Sequence, residues 1–353
     1  MTTEMTSLQR VLTTLGHQEP DRVPFFLLAT MHGAKELGLS IKEYFSQART
    51  VVEGQLRLRA KYRSDCYYAF FYAPLEIEAW GGQVIYVDDG PPNSGEPPIR
   101  RSEDIVRLEP PRVSETPCLG KVLQAIAGLK DQAGNDVPVI GVVMSPFSLP
   151  VMQLGFEGYL ELMADRPDLF ARLMAVNEAF CVDWANAQLA AGATALCYFD
   201  PVSSPTIVPP AQYRATGFEV ARRTLARIQG PTATHFASGR CLPIVADVAR
   251  TGTAIVGVSA DEDLAQLKAA CGQKLTVLGN LNGVAMRGWS AAEAEAAARA
   301  AIAAAGRGGG FILADNHGEI PWQVPDEGLL AISEAVDRWG RYPLSWVEAT
   351  RGS

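Results

Sequence analysis

The chain has 353 residues, 48% hydrophobic and 20% charged, the balance of a soluble globular protein with a large core rather than a disordered or fibrous one. Its 39 acidic and 31 basic residues give a net charge of −8, which argues against nucleic acid or an anionic membrane surface as the main partner. The opening MTTEMTSLQR lacks the apolar core of a leader, no run approaches the ~18 apolar residues of a membrane span, and the six cysteines form no CxxC pair, so a cytoplasmic, disulfide-free protein is expected.

Residues 5–16 pattern as a helix, punctuated by Glu19-Pro20 through Pro24. The run 23–29 reads as a first strand leading into Thr30-Met31-His32-Gly33, and a basic helix over 41–63 precedes an aromatic strand over 66–72. Residues 80–90 read as a hairpin, and the Pro/Gly-rich 90–98 as a loop rather than a linker between domains. From residue 102 strands and helices alternate: helix 115–133, strand 137–144, helices 156–163 and 167–191, strand 193–199, helix 210–229, strand 232–235 and helix 241–251. Strand 254–258, helix 264–270, strand 275–278, the alanine-rich helix 290–306, strand 311–313 and a last helix over 326–338 complete it. Roughly eight strands with helices between them predict an α/β fold, a single (β/α)8 TIM barrel over 1–353 with an N-terminal helical segment and a hairpin insertion. Right-handed crossovers gather the strand ends on one face, with His32, Tyr72, Ser145, Asp200, His235, Asp261, Asn280 and His317 just past them.

The densest chemistry lies in Gly308 to Pro321, GGGFILADNHGEIP, where an apolar strand ends in Asp315, Asn316, His317 and Glu319. His317 could work as an acid or base there, or merely cap the turn. In His235-Phe236-Ala237-Ser238-Gly239-Arg240-Cys241, His235 reads either as a metal ligand or general acid/base, or as a core histidine with a satisfied hydrogen bond. Arg240 reads as an anion clamp or a surface charge. His32, His235 and His317, or two of these with Glu319 or Cys241, could supply the three ligands of an open zinc site. Asp200 and Asp261 could be acid/base groups, orienters of a ligand, or helix N-caps.

Three stretches carry a family likeness: residues 5–24, MTSLQRVLTTLGHQEPDRVP; the run from Val258-Ser259-Ala260-Asp261 to Val277-Leu278-Gly279-Asn280-Leu281; and GGFILADNHGEIP ahead of Pro325. In them the chain resembles the uroporphyrinogen decarboxylase superfamily of barrels, and its opening resembles the branch of methylcobamide:coenzyme M and related corrinoid-dependent methyltransferases. The decarboxylases carry an arginine-rich loop after the first strand and an aspartate for the pyrrole nitrogens. Here residues 29–35 contain no arginine and Tyr72 falls at the aspartate's place, so tetrapyrrole decarboxylation is not expected. His317-Gly318 does resemble the decarboxylases' late His-Gly. The methyltransferase branch holds zinc through a His-x-Cys motif and a later cysteine. His235 matches the histidine, but Ala237 stands at the first cysteine and Asn316-His317 occupies the region of the second.

The resemblance thus implies an enzyme, a corrinoid-linked methyltransferase that moves a methyl group between a small molecule and a partner corrinoid protein. The corrinoid is expected on that partner, because the chain shows no Asp-x-His-x-x-Gly motif. His317, His235 and Asp200 are the expected catalytic residues. Substrate contacts fall to His32, Tyr72, Arg240, Asn316 and Glu319, and a zinc site of harder ligands to His235, His317 and Glu319. A metal-free decarboxylase or lyase acting on a small carboxylate, with His317 as proton donor, and a non-catalytic ligand-binding barrel are the alternatives. A homodimer is an assembly open to it.

Overall fold

The computed structural model describes residues 4–316 and 318–349. In chain order the strands are β1 (Tyr67–Tyr68), the pair β2 (Val84–Ile85) and β3 (Asn93–Ser94), then β4 (Val139–Met144), β5 (Ala195–Phe199), β6 (Thr232–His235), β7 (Ile255–Gly257), β8 (Thr276–Leu281) and β9 (Phe311–Asp315). All but β2 and β3 form one parallel sheet in the order β1-β4-β5-β6-β7-β8-β9. Residues 23–29 fill the remaining wall position. Phe25 bridges Leu313 in parallel register, Phe26 N donates to Leu313 O (2.9 Å), and on the other side Asp65 N donates to Phe25 O (2.7 Å). The sheet therefore closes on itself as the expected TIM barrel. Pro24 brings no N–H, so this position is tied by single bridges rather than a continuous ladder.

Side chains alternate across the wall with the period of two that a strand imposes. Phe26, Tyr68, Ile140, Cys197, Ala233, Ile255, Leu278, Ile312 and Ala314 fill the bore. Their neighbours Val139, Val143, Leu196, Tyr198, Val256, Val277 and Leu313 pack outward against helices. Burial on both faces explains why strands such as VIGVVM read as unbroken apolar runs. The alanine-rich helix is Ala291–Ala305, started by a capping box between Ser290 and Glu293. Its small buried face, including Ala294, Ala298 and Ala301, lets it lie close against the helix Asp326–Trp339.

Several boundaries differ from the sequence pattern. The helix expected over 41–63 breaks at an extended Gln47 into Ile41–Ser46 and Ala48–Tyr62, and that over 210–229 breaks at Thr216. Pro243 reduces 241–251 to a short 3-10 turn and a single helical turn. The hairpin is real, but Val84 pairs with Ser94 and Ile85 with Asn93, so it takes in residues expected to be loop. The aromatic strand 66–72 is only two residues long, because the chain leaves the wall after Tyr68.

At the amino-terminal ends of the strands, Asp65 binds two arginines. Its Oδ1 accepts from Arg10 Nη1 (2.6 Å) and its Oδ2 from Arg22 Nη1 (2.7 Å), while Arg10 Nε donates to Asp21 Oδ1 (2.6 Å). This buried network fastens the helix Ser7–Leu15 under the barrel, on the face opposite the strand ends.

Candidate active site

The early exit of β1 makes the site. With no strand beside it beyond Ile140, the free edge of β4 is satisfied by side chains. Gln188 accepts from Val142 N (3.1 Å) and donates to Val142 O (2.9 Å), and Glu76 Oε1 accepts from Met144 N (2.8 Å). The gap becomes a cavity of about 300 Å³ that runs from the bore, past Leu28, Cys197, Phe199, His235 and Ala314, to Glu76 and Trp184 outside it. Tyr68, Phe70, Phe71, Tyr72 and Phe199 give it an aromatic wall, and no lysine or arginine lines it among the described residues. Pro91, from the connection between β2 and β3, forms part of the roof. Tyr72 against Tyr86 (5.8 Å between rings) and Gln323 Nε2 donating to Asp89 O (2.7 Å) hold that roof in place.

The end of β9 supplies the titratable groups. Glu319 Oε1 accepts from Thr30 Oγ1 (2.5 Å) and from Met31 N, while Oε2 is buried without a hydrogen bond. Asp315 Oδ1 accepts from Leu28 N (3.3 Å). Burial pushes both carboxyls up to about 7, against backbone and hydroxyl hydrogen bonds that pull them down, so at neutral pH each is poised to give or take a proton. His235, at the end of β6, faces the same cavity. Its ring stacks on Phe199 (5.5 Å, 26°), and its Nδ1 accepts from Ala237 N (2.9 Å), which leaves the proton of the neutral ring on Nε2. Gly257 on β7 makes room for it, since a Cβ there would lie 2.3 Å from His235 Cδ2.

Of the residues expected at the site, His235, Glu319 and Tyr72 line this cavity, Tyr72 with its hydroxyl donating to Glu78 Oε2 (2.6 Å). His317 lies outside the described residues. The others stand elsewhere. Asp200 is sealed behind the wall, with Oδ1 accepting from Ser145 Oγ (2.5 Å) and Ser148 Oγ (2.8 Å), a brace for the turns after β4 and β5. His32 is buried with Nε2 against Pro321 O (3.0 Å), and desolvation followed by the charge of Lys35 lowers its pKa to about 4. With its amide turned to suit its neighbours, the side chain of Asn316 ties the ends of β8 and β7 together, N donating to Leu281 O and O accepting from Ala260 N, both 2.9 Å. Arg240 is exposed and off the cavity wall. Asp261 is exposed as well, and Asp263 rather than Asp261 caps the helix Leu264–Cys271.

A thiolate zinc centre does not fit the described residues. Cys241 is enclosed in the core, where burial followed by the charge of Glu262 holds its thiol well above its ordinary range, and burial pushes Cys197 up to about 12. No three His, Cys, Asp or Glu side chains gather to hold a metal ion among the described residues. Of the expected set His235, His317 and Glu319, His317 lies outside the described residues, and Glu319 holds two hydrogen bonds on Oε1 and none on Oε2. Asp315, Glu76 and Trp184 received no role from the sequence. Asp315 sat in the polar turn already singled out; nothing in the spacing of Glu76 or Trp184 pointed inward.

Among the described residues no helix is long and apolar enough to cross a membrane. The chain is 27% identical over 164 residues to the methylcobamide:CoM methyltransferase MtaA of Methanosarcina barkeri, a match covering 46% of this chain and 48% of that protein. It is 24% identical over 361 residues to the uroporphyrinogen decarboxylase of Idiomarina loihiensis, covering 96% of this chain and 98% of the other. The barrel superposes on a methyltransferase from Methanosarcina mazei with a TM-score of 0.81 at 20% identity, over 95% of this chain and 99% of that one, a likeness of fold. The uroporphyrinogen decarboxylase family model matches residues 6–339, nearly the whole barrel, and the chain belongs to that family.

Proposed function

We propose that this barrel is a methyltransferase that moves a methyl group between a small uncharged molecule and a corrinoid carried by a partner protein docked over the strand ends. The observation that carries the substrate side is the cavity wall, aromatic and without lysine or arginine among the described residues. Such a wall favours an apolar, flat ligand and gives a polycarboxylate nothing to pair with. The similarity to the methylcobamide:CoM methyltransferase supports the reaction class and the kind of partner.

The corrinoid would supply the cobalt that exchanges the methyl group. This chain would bind and orient the donor, exclude water and manage one proton. For a methoxylated donor the C–O bond breaks as the methyl group departs, and the oxygen needs a proton. Glu319 or Asp315 would give it, a role that their raised carboxyls, held near 7 by burial, support. His235 lines the same space and would help to orient the donor.

The test is release of phenol from anisole by the purified protein with reduced free cobalamin in place of the partner. Cobalamin-dependent release in the wild type, falling on the order of 10²- to 10⁴-fold in Glu319→Gln, is expected. No phenol, with or without cobalamin, would refute the reading.

A further inference from the structure

The cavity holds one hydroxyl for which the chain itself has no use. Tyr68 is the last residue of β1 and is 7% exposed. The alternation of the strand turns its ring into the bore, edge-on to Phe26 (6.2 Å, 88°), while Tyr67 packs outward. Beyond Tyr68 the chain leaves the wall, so this side chain stands where the cavity passes from the bore to the outside of the sheet. Its backbone N is held by Gln55 Oε1 (3.0 Å), but its hydroxyl makes no hydrogen bond among the described residues. Nor is that hydroxyl sealed in the core, as those of Tyr159 and Tyr198 are.

Every other oxygen- or nitrogen-bearing side chain on the cavity wall is engaged by the chain. The Tyr72 hydroxyl donates to Glu78 Oε2, Glu76 accepts from Met144 N and from the indole of Trp184, and His235 Nδ1 accepts from Ala237 N. Asp315 and Glu319 accept from the segment 28–31. Around Tyr68 the bore is apolar, with Phe26, Ile140, Leu278 and Ile312, so packing calls for a phenylalanine as much as for a tyrosine. A hydroxyl taken from water costs free energy unless it is paired, and one left open to a cavity calls for a partner on the ligand.

Donor character needs no special acidity here. A phenol ordinarily titrates near 10, and burial raises Tyr68 further, so it carries its proton throughout the neutral range. The charge of Asp315 also reaches this phenol, so Tyr68 stands near the proton-carrying groups.

We propose that the Tyr68 hydroxyl is the hydrogen-bond donor that receives an uncharged oxygen of the ligand, a carbonyl, ether or hydroxyl, on an otherwise apolar body. A carboxylate would be buried without a counter-charge, since no lysine or arginine lines the wall among the described residues. The strand and Gln55 fix the donor before a ligand arrives, and the aromatic wall takes the rest of the molecule. This assignment rests on the cavity being the substrate site, as proposed above, and not on methyl transfer.

Titration calorimetry of the wild type and Tyr68→Phe with acetophenone and isopropylbenzene tests it. The two probes share a shape and differ in a carbonyl oxygen against a methyl group. The variant should bind acetophenone about tenfold more weakly and isopropylbenzene no more weakly than the wild type does. In infrared spectra the carbonyl stretch of bound, isotope-labelled acetophenone should lie lower in the wild type, where the phenol donates to it, than in the variant. Equal losses for both probes, an unchanged acetophenone affinity, binding of neither probe, or a carbonyl band that does not move would overturn the assignment. Neither probe has a methoxy group to lose, so phenol release from anisole can fail while the role of Tyr68 stands, and the reverse.

Discussion

Burial first, and for Glu319 also the charge of Asp315, makes the carboxyls of Glu319 and Asp315 unusually weak acids. Both carboxyls are largely shielded from bulk water, and the proton is retained because a carboxylate there would be poorly solvated. The sign of the linkage follows. A carboxyl raised to about 7 in the folded state gives a stability that is complete below the ordinary carboxyl pKa of about 4.5 and is lost as pH rises through 7. Melting temperatures recorded from pH 5 to pH 8 should therefore fall more steeply in the wild type than in Glu319→Gln or Asp315→Asn. If the three profiles run parallel, these groups do not titrate as described. Gly257 tests the site by shape rather than charge. In Gly257→Ala the new Cβ meets His235 Cδ2 at 2.3 Å and Cγ at 2.6 Å, so the ring must turn or the strand must shift. Misplacement on the order of 1 Å at a reacting group costs roughly 10²-fold. Phenol release from anisole should drop by about that much while the circular dichroism spectrum stays unchanged.

Among the elements, β1 and the network below it act in opposite ways. β1 ends early and opens a cavity, and Gln188 and Glu76 repair the exposed edge of β4. Asp65, two residues before β1, does the reverse and closes the far end of the barrel. It accepts from Arg10, from Arg22 and from Phe25 N (2.9 Å), all buried or nearly so. Asp65→Ala would take the carboxylate from Arg22 Nη1 and Arg10 Nη1, although Arg10 keeps Asp21, and removing one member of a buried ionic cluster costs about 3–5 kcal/mol. The urea midpoint should fall accordingly. A midpoint within error of the wild type would show that the network contributes little.

For the whole molecule, closure of the wall matters most. The last strand, β9, bonds to the first apolar segment through Phe26 and Leu313, and Ile320 N donates to Leu28 O (2.7 Å) just beyond it. The two ends of the chain thus complete one wall, and neither half has a finished sheet alone. Such a body should unfold as a unit, with calorimetric and van't Hoff enthalpies that agree. Two resolved transitions would mean that the halves hold together independently.

The sequence by itself determined the barrel and the face that carries the chemistry. Its alternation of apolar runs and amphipathic helices is a local property, set by side-chain period, and a turn such as Gly308 to Pro321 marks a strand end wherever it occurs. Period also carried His235, Glu319 and Tyr72 to the cavity, because each follows a strand. It could not separate them from Asp200, His32 and Arg240, which follow strands too. What divides these residues is a matter of partners. Serines enclose Asp200, a carbonyl and the core enclose His32, and Arg240 points away into solvent. Glu76 and Trp184 were illegible for the same reason, lying on helices that look like any others. Only the tertiary structure, which ends β1 two residues after it starts and leaves an edge to be capped, turned them towards a cavity.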